Sequence, residues 1–201
     1  MLYNITQSDT QKYVWFRTAK CGTSSLLHFL KINTEIGVDG NSLAFDENWK
    51  DYFKFAIVRN PWDRLLSCWK NKIEIQAKKP WRESERAYHY KVLGLDLLKD
   101  ITFAEFIRHL NDDKLLYADK HWAPLHSLID LDSIDFIGRL ENLQEDFYII
   151  CDKIGIPRQQ LPHHNKTKHK HYTEYYDDET RQIVAERHAK DIEYFGYEFG
   201  E

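Results

Sequence analysis

Two short segments of the chain carry residue types that suit the binding of phosphate groups. The first is Lys20-Cys21-Gly22-Thr23-Ser24-Ser25, which follows an apolar run at 13–16. A turn of small residues that joins a strand to a helix gathers backbone N–H groups, and the helix dipole attracts an anion. The alternative is an ordinary helix cap, because Thr and Ser are favoured capping residues. A Walker A loop is not predicted, because the pattern G-x-x-x-x-G-K-[ST] is absent.

The second segment begins with Arg59, at the end of the apolar run 53–58, and Ser67 follows eight positions later. Ligands of open α/β sheets bind beyond the carboxyl ends of the strands, where Arg59 is predicted to lie. A guanidinium can hold a phosphate through two hydrogen bonds, and a serine on the next helix could complete such a site. The alternative is a surface arginine and an unrelated serine on a helix face.

The elements that must position these residues follow from the spacing of apolar residues. Thr102 with Glu105 has the pattern of a capping box that opens a helix. The alternation of strands and helices favours an α/β fold, with a short parallel sheet flanked by helices in a single domain over residues 1–201. The predicted elements are strands at 13–16, 53–58 and 134–138, a loop at 37–48, and helices at about 24–32, 61–78, 103–110, 143–154 and 178–195.

Composition and charge exclude several classes of protein. The chain has 201 residues, of which 42% are hydrophobic, and a formal net charge of −4. This supports a sizeable core and argues against a disordered tail or a polycation that coats nucleic acid, so no nucleic-acid partner is expected. Three widely spaced cysteines predict no disulfide framework. Without a signal-peptide pattern or an apolar run that could span a membrane, we expect a soluble, cytoplasmic protein.

Together, the two segments resemble the donor-binding motifs of sulfotransferases. The turn at 20–25 resembles their 5′-phosphosulfate loop, and 55–72 resembles their 3′-phosphate motif, in which Ser follows Arg by eight positions. The stretches 121–124, 136–147 and 191–197 are similar to segments of carbohydrate sulfotransferases of family 2, the chondroitin 4-O and HNK-1 type. The resemblance extends over roughly residues 13–199. It implies a P-loop-like sulfotransferase fold in a compact, bacterial-type member.

The resemblance also implies a donor, 3′-phosphoadenosine 5′-phosphosulfate (PAPS), and an acceptor hydroxyl on a carbohydrate or glycoconjugate. In this scheme Lys20 neutralises charge on the leaving phosphate, and Arg59 with Ser67 holds the 3′-phosphate. Sulfuryl transfer should depend mainly on in-line positioning and charge stabilisation, as phosphoryl transfer does, so no metal is expected. The residues expected to hold the 5′-phosphate are Cys21, Gly22, Thr23, Ser24 and Ser25.

The acceptor hydroxyl needs a general base. His121 is the first candidate, and the alternative is a packing histidine beside a tryptophan. Many relatives carry a histidine between the first loop and the second strand, but residues 34–54 contain none. Asp46 and Glu47 are therefore the second candidates, and His126 is the next histidine to test.

The segment 163–171 is basic and rich in histidine. Histidines at alternating positions can chelate a metal, but no cysteine or carboxylate stands at ligand spacing. A loop that closes over the nucleotide or an anionic acceptor is favoured instead, with Lys168 as its best candidate. Trp49, Trp81 and Tyr88 could stack on sugar rings, although lone aromatic residues more often belong to the core.

The predicted function is PAPS-dependent transfer of a sulfuryl group to a carbohydrate. Two alternatives stay open. A P-loop-like nucleotide kinase would need a Walker lysine and a Mg²⁺-holding carboxylate after a strand, and neither is evident. A non-catalytic protein that binds nucleotides or anionic glycans would need only the binding residues. The acceptor, the sulfated position and the oligomeric state do not follow from the sequence.

Overall fold

The computed structural model describes residues 2–74, 83–96, 99–161 and 170–201. The backbone contacts divide the chain into two compact units, each built from two stretches of sequence. The first unit comprises Met1–Arg59 and Leu125–Lys166, and the second comprises Asn60–Pro124 and Thr167–Glu201. The expectation of one domain over residues 1–201 stays a prediction.

Strands and helices alternate along most of the chain. The strands are β1 (Tyr3–Ser8), β2 (Tyr13–Phe16), β3 (Val38–Leu43), β4 (Phe53–Val58) and β5 (Phe136–Arg139). The helices are α1 (Thr23–Asn33), α2 (Pro61–Trp69), α3 (Glu83–Val92), α4 (Phe103–His109), α5 (Asp113–Leu116), α6 (Leu143–Ile154), α7 (Asp178–Arg187) and α8 (Ala189–Phe195).

A five-stranded sheet, in the order β3-β1-β2-β4-β5, forms the centre of the first unit. β2, β4 and β5 run parallel, with Trp15 paired to Phe55 and Ile57 paired to Gly138. Every residue of β2 and all but the first residue of β4 are buried, as expected for parallel strands with apolar residues on both faces. This part of the sheet confirms the predicted α/β fold.

Two strands, β1 and β3, were not predicted, and they make the sheet mixed. β1 pairs antiparallel with β2 and with β3. β3 contains Asp39, Gly40 and Asn41, which have low strand propensity. Backbone pairing with β1 and an ion pair between Arg17 and Asp39, 3.0 Å apart, hold this edge strand in place. The predicted loop at 37–48 is therefore wrong for residues 38–43.

Two helices of the first unit pack against each other through aromatic rings. The ring of Phe29 in α1 meets that of Phe147 in α6 edge to face, with the centroids 4.7 Å apart. Gly155, with a φ of 71°, ends α6 in the left-handed conformation that favours glycine there. Both predicted helices are confirmed, and each begins and ends within one residue of its expected bounds.

The second unit is helical, and its core is built largely from aromatic and aliphatic side chains. α2 begins with Pro61 in its first turn and is capped by the side chain of Asn60. Its helical path continues as a π-helical turn at Lys70–Glu74. The buried core of this unit includes Trp62, Leu66, Phe106, Trp122 and Val184.

Two predictions about helix ends in the second unit have different outcomes. Thr102 and Glu105 form the expected capping box at the start of α4. The single helix predicted at 178–195 is wrong in one respect, because it divides into α7 and α8 at His188. In the described ranges, no helix is both long and apolar enough to cross a bilayer.

The three cysteines, Cys21, Cys68 and Cys151, are buried and free, which agrees with the predicted absence of a disulfide framework. Burial raises the pKa of the Cys151 thiol to about 11. A thiol is reactive as its thiolate, so Cys151 is an inert core residue at neutral pH.

Candidate active site

The turn between β2 and α1 adopts a left-handed backbone conformation at two positions. Lys20 has a φ of 70° and Gly22 a φ of 76°. A side chain costs roughly 1–2 kcal/mol in this conformation, whereas glycine adopts it freely. A Cβ atom at position 22 would also lie 3.0 Å from side-chain atoms of Leu140 and Leu143. Both the φ angle and the limited space therefore favour glycine at this position of the predicted phosphate-binding motif.

The first turn of α1 presents the positive end of a helix. Gly22 is its N-cap residue, and no side chain caps the helix, so the alternative of an ordinary Ser or Thr cap is not what the structure shows. The N–H groups of a first turn lack helical acceptors and carry the positive end of the dipole. No acidic residue lies in this first turn. An anionic phosphate group fits this arrangement.

Some hydroxyl groups near this turn are bonded within the protein, and one, that of Ser24, belongs to an exposed residue. Thr18 donates to the carbonyl of Ile57, and Thr23 donates to the carbonyl of Thr18 at 2.6 Å, so these two residues shape the turn. Cys21 and Ser25 are buried, whereas Ser24 is exposed. The backbone amides, the Ser24 hydroxyl and the half-buried Lys20 are the groups best placed to meet an anion.

Arg59 directly follows β4, as predicted, and its side chain reaches the turn. Its Nη1 atom donates a hydrogen bond to the carbonyl of Lys20 at 3.1 Å. β2 and β4 are neighbouring parallel strands, so their carboxyl ends meet at the same edge of the sheet, where ligands of α/β sheets bind. Arg59 thus supports the turn as well as adding positive charge beside it.

Ser67 lies on α2 in the second unit, and its side chain is half-buried. The helix that carries it begins at Pro61, as predicted. A role for Ser67 beside Arg59 in holding a 3′-phosphate stays a prediction.

His121 lies in a turn of the second unit and pairs with a buried carboxylate. Its Nδ1 atom is 2.6 Å from Oδ1 of Asp119, and its backbone N–H donates to the same oxygen at 2.8 Å. The side chain of Asp119 is 5% exposed and that of His121 is 21% exposed. The neighbouring Trp122 is fully buried. The tryptophan therefore has the packing role, and the histidine remains accessible.

The charge of Asp119 determines which nitrogen of His121 can act as a base. Burial raises the pKa of Asp119, but the hydrogen bonds and charge of His121, with a smaller contribution from His89, outweigh burial and leave the pKa below its usual value. An ionised carboxylate only accepts hydrogen bonds. Nδ1 of His121 must then donate, and in the neutral ring Nε2 carries the lone pair that can accept a proton.

A buried arginine holds the turn that carries His121. Arg64 on α2 is 0% exposed. Its Nη1 atom donates to the carbonyl of Ala123 at 2.8 Å, and its Nη2 atom donates to the carbonyl of Lys120 at 2.9 Å. These carbonyls flank His121 in the sequence. Arg64 therefore fixes the backbone on both sides of the candidate base.

His89 on α3 completes a cluster with Asp119 and His121. Its Nε2 atom is 3.9 Å from Oδ2 of Asp119, and its ring centroid is 5.5 Å from that of His121. One ligand atom from each of the three residues lies within 4.8 Å of the others, so the group could hold a metal ion. The hydrogen bond between His121 and Asp119 explains their proximity without one. The expected absence of a metal stays a prediction.

The structure also places most of the remaining candidates for the base and for sugar stacking. Asp46 and Glu47 are exposed residues of the first unit, and Asp46 caps a short helical turn by accepting from the N–H of Asn48. His126 lies in a 3-10 turn and is half-buried. Trp49 is buried against Phe45, so it belongs to the core, whereas Tyr88 is exposed. Trp81, Lys168 and most of the segment 163–171 lie outside the described residues.

A comparison with family models identifies the chain. The model described as "Sulfotransferase family" matches residues 3–198. The chain belongs to the sulfotransferase family. The turn between β2 and α1, Arg59 and His121 all lie within the matched residues, and the predicted resemblance is confirmed.

Individual sulfotransferases agree with this family assignment. The chain is 32% identical over 187 residues to carbohydrate sulfotransferase 14 of Danio rerio, a match that covers 79% of the chain and 50% of the relative. It is 27% identical over 173 residues to carbohydrate sulfotransferase 10 of Xenopus laevis, covering 75% and 49%. For carbohydrate sulfotransferase 9 of Homo sapiens the identity is 26% over 159 residues, covering 70% and 33%. The chain thus spans half or less of these relatives. No solved structure matches it significantly.

The sequence interpretation missed two residues that support the candidate base. Asp119 stands two positions before His121, a spacing that allows a carboxylate to accept from both the ring and the backbone of the histidine. That spacing could have been noticed. Arg64 carried no such signal, because its backbone acceptors, 56 and 59 positions away in the sequence, are brought to it only by folding.

Proposed function

We propose that the protein is a PAPS-dependent sulfotransferase that transfers a sulfuryl group to a hydroxyl of a carbohydrate. Membership of the sulfotransferase family and the names of the carbohydrate sulfotransferases that it resembles support this class of reaction. The observation that carries an enzymatic function, rather than simple binding, is the hydrogen bond of 2.6 Å between His121 and the buried Asp119.

The turn between β2 and α1, with Arg59 beside it, carries groups suited to the donor. The 5′-phosphosulfate would lie against the first-turn amides of α1 and the hydroxyl of Ser24, where the helix dipole favours negative charge. Lys20 would stabilise charge that develops on the leaving phosphate, which is the usual role of a preorganised cation. Arg59 would bind the 3′-phosphate, with Ser67 as its predicted partner.

His121 is the proposed base. Nε2 of His121 would take the proton of the acceptor hydroxyl as its oxygen bonds to sulfur and the bond from sulfur to the 5′-phosphate oxygen breaks. The leaving group is 3′,5′-diphosphoadenosine. Asp119 would stabilise the imidazolium that results and keep the ring in the required tautomer, as a buried carboxylate does beside other catalytic histidines. Asp46 and Glu47 have no comparable arrangement among their described contacts, and we favour His121.

Incubation of the protein with PAPS and a panel of oligosaccharides, followed by mass spectrometry, tests this proposal. We expect an added sulfate on at least one acceptor and an equal amount of 3′,5′-diphosphoadenosine. ATP with Mg²⁺ is the control for a kinase, and protein dialysed against a chelator is the control for a metal. Phosphorylated acceptor would support the kinase, and nucleotide binding without any transfer would support the non-catalytic alternative.

We also propose that the protein is cytoplasmic. Its free, buried cysteines support this location, because reduced thiols are typical of reducing compartments. Fractionation of cells that express the tagged protein would test this location.

A further inference from the structure

An exposed aromatic ring lies beside the His89–Asp119–His121 cluster. Tyr88 on α3 is 52% exposed, whereas the next residue, His89, is 2% exposed. The ring of Tyr88 meets that of His89 edge to face, with the centroids 5.1 Å apart. The ring of His89 in turn meets that of His121 at 5.5 Å. Two ring contacts thus connect Tyr88 to the candidate base.

The ring of Tyr88 packs on a buried neighbour of the candidate base. Burial and the nearby charge of Asp119 raise the pKa of Tyr88, so the phenol is neutral at neutral pH. Contact with the ring of His89, which is 2% exposed, restricts the motion of the Tyr88 ring before any ligand binds. Less conformational entropy is then lost on binding.

Other exposed apolar side chains lack this connection. Within the described residues, Tyr88 alone among them has an interaction with Asp119 or a ring contact to His89 or His121 that the structure specifies. The remaining members of this group are Leu2, Ile32, Tyr117, Ile149 and Tyr194. An exposed tyrosine ring that packs edge to face on a buried histidine is suited to bind the apolar face of a ligand.

We propose that Tyr88 is the platform on which one sugar ring of the acceptor stacks, so that a hydroxyl of the acceptor is presented to His121. This inference rests on the proposed sulfotransferase function and names the residue that binds its acceptor. The C–H face of a pyranose would cover the exposed part of the aromatic ring, while the hydroxyl groups at its rim would remain available for hydrogen bonds and for transfer.

Kinetics with four variants of the full chain test the role of Tyr88. Tyr88→Ala and Tyr88→Leu remove the aromatic face, and we expect each to raise KM for the carbohydrate about tenfold, which corresponds to about 1.4 kcal/mol. Tyr88→Trp preserves a stacking face and should keep KM within about threefold of the wild-type value. Tyr194→Ala is the matched control, because Tyr194 is 54% exposed on α8, and it should leave KM unchanged.

A second readout separates acceptor binding from damage to the fold. The dissociation constant of 3′,5′-diphosphoadenosine should be the same in all four variants and the wild type. If Tyr88→Ala loses its nucleotide binding through misfolding, Tyr88→Leu and Tyr88→Trp still decide the matter, since only the tryptophan should preserve KM.

The outcomes distinguish this inference from the function on which it rests. If the wild type transfers sulfate but Tyr88→Leu has an unchanged KM for the acceptor, the platform is refuted and the sulfotransferase function stands. If Leu and Trp at position 88 raise KM equally, stacking is also refuted. If the wild type transfers sulfate to no carbohydrate, the proposed function fails and this inference fails with it.

Discussion

The Nδ1 atom of His121 lies 2.6 Å from Oδ1 of Asp119, and the same oxygen accepts the backbone N–H of His121. One buried carboxylate therefore determines both where the histidine sits and which way its ring faces. Arg64 holds the carbonyls on either side, so the turn is fixed from two directions. A general base must be held in a defined position, and these bonds hold His121 in one.

Asp119→Asn should lower kcat by about 10²–10⁴, the range observed when a catalytic histidine loses general-base function or its orienting carboxylate. An amide can donate as well as accept, so the ring is no longer confined to the tautomer with a lone pair on Nε2. KM and nucleotide affinity should change little. Steady-state kinetics would measure these constants, with Glu193→Gln as a control for the loss of one exposed acidic charge. A kcat near the wild-type value would show that Asp119 does not orient a catalytic histidine.

The same substitution should change how stability depends on pH. The pKa of Asp119 is lowered in the folded state, because interactions with His121 and His89 outweigh burial. A carboxylate with a lowered folded-state pKa stabilises the fold above its unfolded value, about 3.9, and this contribution is lost as the pH falls through the folded value. The difference in unfolding free energy between wild type and Asp119→Asn should therefore shrink below about pH 4. Urea titrations from neutral pH downward would measure it, and a constant difference would contradict the assignment.

Lys20→Ala should lower kcat by about 10²–10³, the effect of removing one preorganised electrostatic donor. The dissociation constant of the nucleotide should change much less, because the lost interaction strengthens in the transition state. Lys153→Ala, which removes an exposed lysine from the same unit, is the control. If Lys20→Ala instead raises KM with a normal kcat, Lys20 only binds the donor.

Arg59→Ala should weaken the binding of 3′,5′-diphosphoadenosine by about 30- to 1000-fold, since a charged hydrogen bond is worth roughly 2–4 kcal/mol at such a site. Because Arg59 also donates to the carbonyl of Lys20, 5′-AMP should bind more weakly as well, but by less than about tenfold. Calorimetry with both nucleotides separates the two effects. Equal losses would limit Arg59 to supporting the turn.

Much of the parallel part of the sheet could be predicted, because β2 and β4 are buried on both faces and their sequences are apolar except for Lys54. β1 and β3 could not. β3 contains Asp39, Gly40 and Asn41, and its conformation depends on pairing with β1 rather than on its own propensity. The break at His188 was also missed, because the apolar spacing continues across it.

In the candidate site, residues that belong to a local sequence motif could be predicted. Residues whose roles depend on contacts made only by folding could not. Gly22 and Arg59 were identified because each belongs to a local motif at a strand end. Asp119 is close in sequence to His121, but its role depends on its burial, which the sequence does not show. Arg64 was missed because a fully buried arginine is uncommon and its partners are backbone carbonyls.

The most direct test of the account is the rate at which 3′,5′-diphosphoadenosine forms from PAPS with and without a carbohydrate acceptor, in the wild type and in His121→Ala. We expect the acceptor to accelerate formation in the wild type, and His121→Ala to lower the acceptor-dependent kcat by about 10²–10⁴. Nucleotide affinity should be unchanged, and the wild-type rate should rise with pH as the imidazole loses its proton. If His121→Ala turns over normally while Glu47→Gln or Asp46→Asn is inactive, the base is a carboxylate. If no carbohydrate acceptor accelerates the formation of 3′,5′-diphosphoadenosine in the wild type, the proposed sulfotransferase function is contradicted.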